Sequence, residues 1–255
     1  MSSYGLWLSA AGMKVHEHQQ TLLANNMANA HTTGFKQDLA VVRERVVERR
    51  AAAGATRFAH PVLDGLAGGV DVRPTFHDFT QGPILNTGRA LDVAIQGDGF
   101  FTVSDGTSTR YTRNGSFSLN PSGELVLNSG DGRWRVLDQD GAPIQIDPAL
   151  GDLRVSQDGT IRQGDAVAGT LGLVTMDDKQ SMRKFGETLF EATTDAIVPA
   201  EARIVSGALE GSNFNPMQGL ARMIETTRAY QMNATMVQLQ DQATDRAVNT
   251  VGRMV

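Results

Sequence analysis

Apolar positions recur with two different periods along this chain, and the period changes twice. Near the start, Leu8, Gly12, Val15, Gln19, Leu22 and Asn26 follow one another at intervals of four and three, which is the stripe of a helix. Ser9, Ala10, Ala11 and Gly12 on it are small enough to let another backbone come close. The helix is expected to end near Ala30, with Thr33-Gly34 as its stop, since glycine takes the left-handed conformation freely. Asn25, Asn26 and Asn29 are poor helix formers, and their amides can cap this end or bond an adjacent segment. Val41, Val42, Val46 and Val47 then alternate with arginines and glutamates as a solvated face, and the Ala- and Gly-rich stretch to Gly69 reads as a connector.

From about Val70 the period becomes two. Leu91, Val93 and Ile95 alternate, and turn signals stand at Asn114-Gly115, Asn120-Pro121-Ser122-Gly123, Asp140-Gly141 and Asp158-Gly159. Asn114-Gly115 is expected to close a hairpin between 110–113 and 116–119. Short strands at this spacing predict an antiparallel sandwich or barrel. The helical period returns after Asn215-Pro216, a cap followed by a proline at the first helical position. One stripe runs through Met223, Thr227, Tyr230, Ala234 and Val237. A second runs through Ile224, Met232, Met236 and Leu239. A helix apolar on two faces needs two partners, and one N-terminal helix covers only one of them.

The fold class expected is mainly β with α: N- and C-terminal helices pairing as a coiled coil around a central antiparallel β domain. The boundaries are 1–36 for the first helix and its turn, 37–69 for the connector, 70–205 for the β domain, and 206–255 for the linker and last helix.

Composition removes several classes of function. The chain has 255 residues, no cysteine and a net charge of −5. It can form neither a disulfide framework nor a thiolate zinc site, and its charge argues against nucleic acid. The first residues have no basic region before an apolar run, so no cleaved secretory signal is read there. His16 and His18 lie on opposite sides of a helix and cannot share a metal. Gly97-Asp98-Gly99 lacks the rest of a phosphate loop and reads as a tight turn. Asn114-Gly115-Ser116 fits a glycosylation sequon, but the turn accounts for it. No nucleophile elbow gathers Ser, His and Asp. No catalytic residue, cofactor, metal or small-molecule substrate is expected.

Three sets of residues carry a resemblance. They are Ala24-Asn25-Asn26-Met27-Ala28-Asn29 with Thr32-Thr33-Gly34-Phe35-Lys36; Leu91 to Phe101 followed by Tyr111-Thr112-Arg113-Asn114-Gly115-Ser116-Phe117; and Gly207-Ala208-Leu209-Glu210-Gly211-Ser212-Asn213 before the last helix. In this order they resemble the flagellar basal-body rod and hook protein family. The resemblance implies a structural subunit that assembles helically with itself and other rod and hook subunits. It implies delivery by the flagellar type III export apparatus, without a cleaved signal, to a periplasmic rod. Ile204 to Asn213 looks closer to the proximal rod type; the distal rod or hook subunit is the alternative within the family. A non-flagellar β binding module dimerised by its helices is the alternative outside it. The expected assembly interface comprises Leu8, Gly12, Val15, Leu22, Asn25, Asn26, Asn29, Gly34, Phe35, Met223, Ile224, Tyr230 and Val237.

Overall fold

The structure is a computed structural model, and it describes residues 3–44, 69–128, 132–147, 153–193 and 197–251. It is a mainly β protein with a helix at each end, as the change of period predicts. The chain divides into two compact units. One takes residues 1–27, 38–76 and 216–255; the other takes 28–37 and 77–215.

In the first unit, helices Ser3–Ala28 and Pro216–Val251 accompany a short antiparallel pair of strands, Val42–Glu44 with Val70–Val72. The long helix starts at Pro216, whose missing N–H would have no helical partner at that position. No glycine or proline follows between Leu220 and Val251 to interrupt it. The two helices meet where side chains are smallest. A Cβ built on Gly12 would stand 3.0 Å from Asn233 Nδ2, and one on Gly5 would stand 2.8 Å from Gln240 Nε2. Seven residues separate the two points on each helix, in opposite chain directions. On the long helix Gly219, Met223, Thr226, Tyr230, Asn233, Val237 and Gln240 are buried or half-buried, again at intervals of four and three.

In the second unit every strand pairing is antiparallel. The main sheet runs in the order 183–185, 189–191, 109–112, 100–104, 135–136, 125–127, 117–119, with 173–176 adding to Phe100–Ser104 and 197–199 adding to 173–176. Strands 153–155, 160–163 and 166–170 form a three-stranded sheet, and 93–96 pairs with 203–206. Val93, Ile95, Phe101, Val103, Phe117, Leu125, Leu127, Ile144, Ile161 and Ile204 make one core. Phe100, Tyr111, Met176, Met182 and Phe190 make a second, onto which Phe79 packs. Alternate positions of a strand share a face, so Phe101 and Val103 enter the first core while Phe100 enters the second.

The turns at Asn120–Gly123, Asp140-Gly141 and Asp158-Gly159 stand as read, with Gly123, Gly141 and Gly159 at positive φ. The hairpin at Asn114-Gly115 does not form. Thr109–Thr112 pairs with Phe100–Ser104 and Leu189–Glu191, while Phe117–Leu119 pairs with Leu125–Leu127. The dipeptide serves close approach instead. A Cβ on Gly115 would sit 1.8 Å from the Val93 carbonyl oxygen, and Val93 N–H donates to the Gly115 carbonyl at 3.0 Å. Only glycine admits that strand so near. Segment 144–146 makes a single bridge, Gln145 with Glu124, and no strand. Most of the expected connector, and Val46 and Val47, lie outside the described residues.

Candidate functional site

The Thr32–Lys36 part of the first set meets the other two sets inside the second unit, although the three are far apart in sequence. Gly34, after the first helix, has φ +70° and lies against the backbone of Arg113 and Asn114, leaving no room for a Cβ. Its N–H donates to the Glu210 carbonyl at 2.7 Å. Thr33 Oγ1 donates to Asn114 Oδ1 at 2.9 Å, which also accepts from Ser116 N–H at 3.0 Å. Phe35 is fully buried, with the Lys184 ammonium 3.9 Å above its ring.

At the centre is a buried triad of charges. Glu210 Oε1 accepts from Lys36 Nζ at 2.6 Å and from Gly82 N–H at 2.9 Å. Its Oε2 accepts from Arg113 Nη1 at 3.2 Å. All three side chains are at or near zero exposure. The surplus positive charge is met by carbonyls: Lys36 Nζ donates to Thr80 O at 2.6 Å, and Arg113 Nη2 donates to Gly97 O at 2.8 Å. Arg113 also lies over the Phe100 ring. Burial pushes the Lys36 ammonium below the usual lysine range, against the pull of Glu210.

A polar frame borders the triad. Asn213 Oδ1 accepts from Gln37 N–H at 2.8 Å, Asn213 Nδ2 donates to Asp78 O at 2.8 Å, and Gln37 Nε2 donates to Asp78 Oδ2 at 2.7 Å. Burial would raise the Asp78 carboxyl, but Thr80 and Gln37 donate to it and hold it below the ordinary carboxylate range. Asp98 is also held low, chiefly by Lys179, whose ammonium is 2.7 Å away.

This junction ties the residues that leave the first helix and those that enter the last to one point of the β unit. Lys36, Arg113 and Glu210 spend their charges on one another and on the Thr80 and Gly97 carbonyls, so the junction acts as a clasp. Sequence reasoning quoted Lys36, Arg113 and Glu210 within motifs but did not single them out. The available signal was a charge of opposite sign in the first and third sets, Lys36 and Glu210, with Arg113 in the middle set beside Asp92 and Asp98.

The remaining expected interface residues sit on the helices, apart from Asn29 in the turn that follows the first one. Asn26 is buried and bridges the Asp38 backbone twice: its Nδ2 donates to Asp38 O at 2.7 Å, and Asp38 N–H donates to its Oδ1 at 2.9 Å. Asn29 is buried and accepts from Thr32 Oγ1 at 3.1 Å. Asn25 is exposed. Val15 is buried, Leu22 is half-buried, and Leu8 is exposed. Met223, Tyr230 and Val237 are half-buried on the inner row of the long helix. Ile224 lies on the outer face with Leu220, Met232, Met236 and Leu239, all exposed. Gly34 and Phe35 lie within the junction rather than on a helix face. Among the described residues no three His, Asp or Glu side chains gather as a metal site, and no helix is long and apolar enough to cross a membrane.

Comparison with known proteins gives the family. Residues 94–163 match the family described as Flagellar hook protein FlgE/F/G D1 domain, and residues 205–250 match Flagellar basal body rod FlgEFG protein C-terminal. The flagellar basal-body rod protein FlgF of Caulobacter vibrioides is 38% identical over 236 residues, covering 91% of each chain. FlgG of Buchnera aphidicola is 32% identical over 256 residues, covering 93% of this chain and 95% of its own. FlgF of Mesorhizobium japonicum is 31% identical over 250 residues, covering 97% of each. Similarity over nearly the whole length, spanning both helices and the junction, makes this chain a member of the flagellar basal-body rod protein family and a structural subunit of the basal body.

Proposed function

We propose that the subunit polymerises into the rod through its two terminal helices, which pair as an antiparallel coiled coil within each subunit and pack against neighbouring subunits outside it. One observation carries this reading: the long helix has large apolar side chains on two faces, and only one face is covered. Ile224, Met232 and Leu239 are 47%, 67% and 54% exposed. An apolar face of that length turned to water marks a contact surface. A rod grows by heterologous contacts that repeat without closing into a ring, so each subunit must present its seam to several copies.

In this reading the site residues divide by role. Gly12, Val15, Leu22, Met223, Tyr230 and Val237 hold the helix pair. Leu8, Ile224 and Asn25 reach neighbours. Asn26, Asn29, Gly34 and Phe35 fix the segment after the first helix. The subunit is of the proximal rod type, as its Ile204–Asn213 segment suggests. It reaches the periplasmic part of the basal body through the flagellar export apparatus without a cleaved signal, and it works as a building element with no catalytic step. The test is incorporation: Ile224→Glu should be exported at the wild-type level and be absent from purified basal bodies. Discrete dimers of purified protein at rising concentration, with no filaments, would favour a dimerised binding module instead.

A further inference from the structure

The helices and the clasp leave one feature without a purpose, on the outer face of the three-stranded sheet. Leu153 and Val155 turn inward to the core and Ile161 is buried within it, so Arg154 and Arg162 face outward. The register sets Arg154 directly opposite Arg162, and Arg162 opposite Val167. Like charges directly opposed on neighbouring strands repel. Among the described residues neither arginine forms an ion pair. Asp158 stands near, but its carboxyl is held low first by the Thr160 N–H and hydroxyl, and the charge of Arg162 is the least of the causes. Val167 completes the row at 58% exposure. An apolar side chain beside two outward guanidinium groups is a composition that interfaces favour, since arginine pairs with carboxylates through a planar fork.

We propose that this face is a lateral contact between β units, and that its occupant is the acidic surface of a second copy of this chain. Charge complementarity supports that occupant. The chain carries 28 acidic residues against 23 lysines and arginines. Two of those cations are sealed in the clasp with a single carboxylate, so the rest of the molecule is more acidic still. A copy approaching this row relieves the repulsion between Arg154 and Arg162 and covers Val167. The inference rests on the rod reading, and it adds a contact that the helices do not make.

The experiment compares R154Q/R162Q and R154E/R162E with the wild type, as full chains, in cells and in purified form. Both pairs are exposed, so thermal unfolding of the purified chains should be unchanged or slightly raised. Export should be unchanged. Incorporation into basal bodies should fall by about fivefold for the reversed pair, the scale of one exposed ion pair lost per subunit, and by less for the neutral pair. Self-association of the purified wild type should weaken with salt, and that of R154Q/R162Q should weaken less. Wild-type incorporation of R154E/R162E would overturn the proposal. So would unaltered self-association accompanied by lost binding to anionic lipid vesicles or an anionic polysaccharide, since the row would then serve another partner. Ile224→Glu run in parallel separates the two readings: its normal incorporation would count against the helical seam, whatever the arginine variants do.

Discussion

Glu210 holds two cations at once, and that unequal share decides how each member of the clasp responds to substitution. Glu210→Gln leaves Lys36 and Arg113 buried with carbonyls alone, and breaking a buried pair in this way costs about 3–5 kcal/mol. Lys36→Met leaves Glu210 still bonded to Arg113 and Gly82, so it should cost clearly less. Denaturant unfolding of the two variants checks the order, and an equal loss would contradict the geometry. The pH dependence follows from Asp78. Its folded carboxyl is held below the ordinary value, so its contribution is present above that ordinary value and is lost as pH falls through the depressed one. Asp78→Asn should therefore flatten the acid limb of the stability curve and leave neutral pH and above with a constant offset. An acid limb of unchanged steepness would remove Asp78 from the account.

At the scale of elements, the helices and most turns were legible because each has a local cause. A four-three stripe, a proline at the first helical position and a glycine at positive φ act through residues near in sequence. Asn114-Gly115 shows where this stops. The dipeptide has the chemistry of a hairpin, but Val93, some twenty residues away in sequence, presses against Gly115 and sets its use. The clasp was hidden for the same reason: Lys36, Arg113 and Glu210 become partners only when strands pair across the whole unit. The long helix was legible as having two apolar stripes, but Thr226 is buried where Thr227 was expected, and Asn233 is half-buried beside Ala234. The small residue at Gly12 is what admits the Asn233 side chain. Asn26 gives a prediction at this scale. Asn26→Ala would strand the Asp38 N–H and carbonyl in a buried place, at about 1–3 kcal/mol. Asn25→Ala, at an exposed position, should cost a small fraction of that. Thermal unfolding of the two single variants measures the difference, and equal midpoints would refute it.

For the whole molecule, a clasped β unit and a helix with an uncovered apolar face suit a part that must be stable alone and complete only in an assembly. The residues that hold the subunit together and those that join it to others are then separable by substitution. Met223 on the inner row should affect both, because a charge there disturbs the helix pair before any neighbour arrives. Ile224 on the outer face should affect assembly alone. The most direct measurement is the ratio of Ile224→Glu protein in purified basal bodies to the amount exported, taken together with its thermal unfolding. The account predicts wild-type export, a wild-type unfolding midpoint and a ratio near zero. Wild-type incorporation of that variant would contradict it.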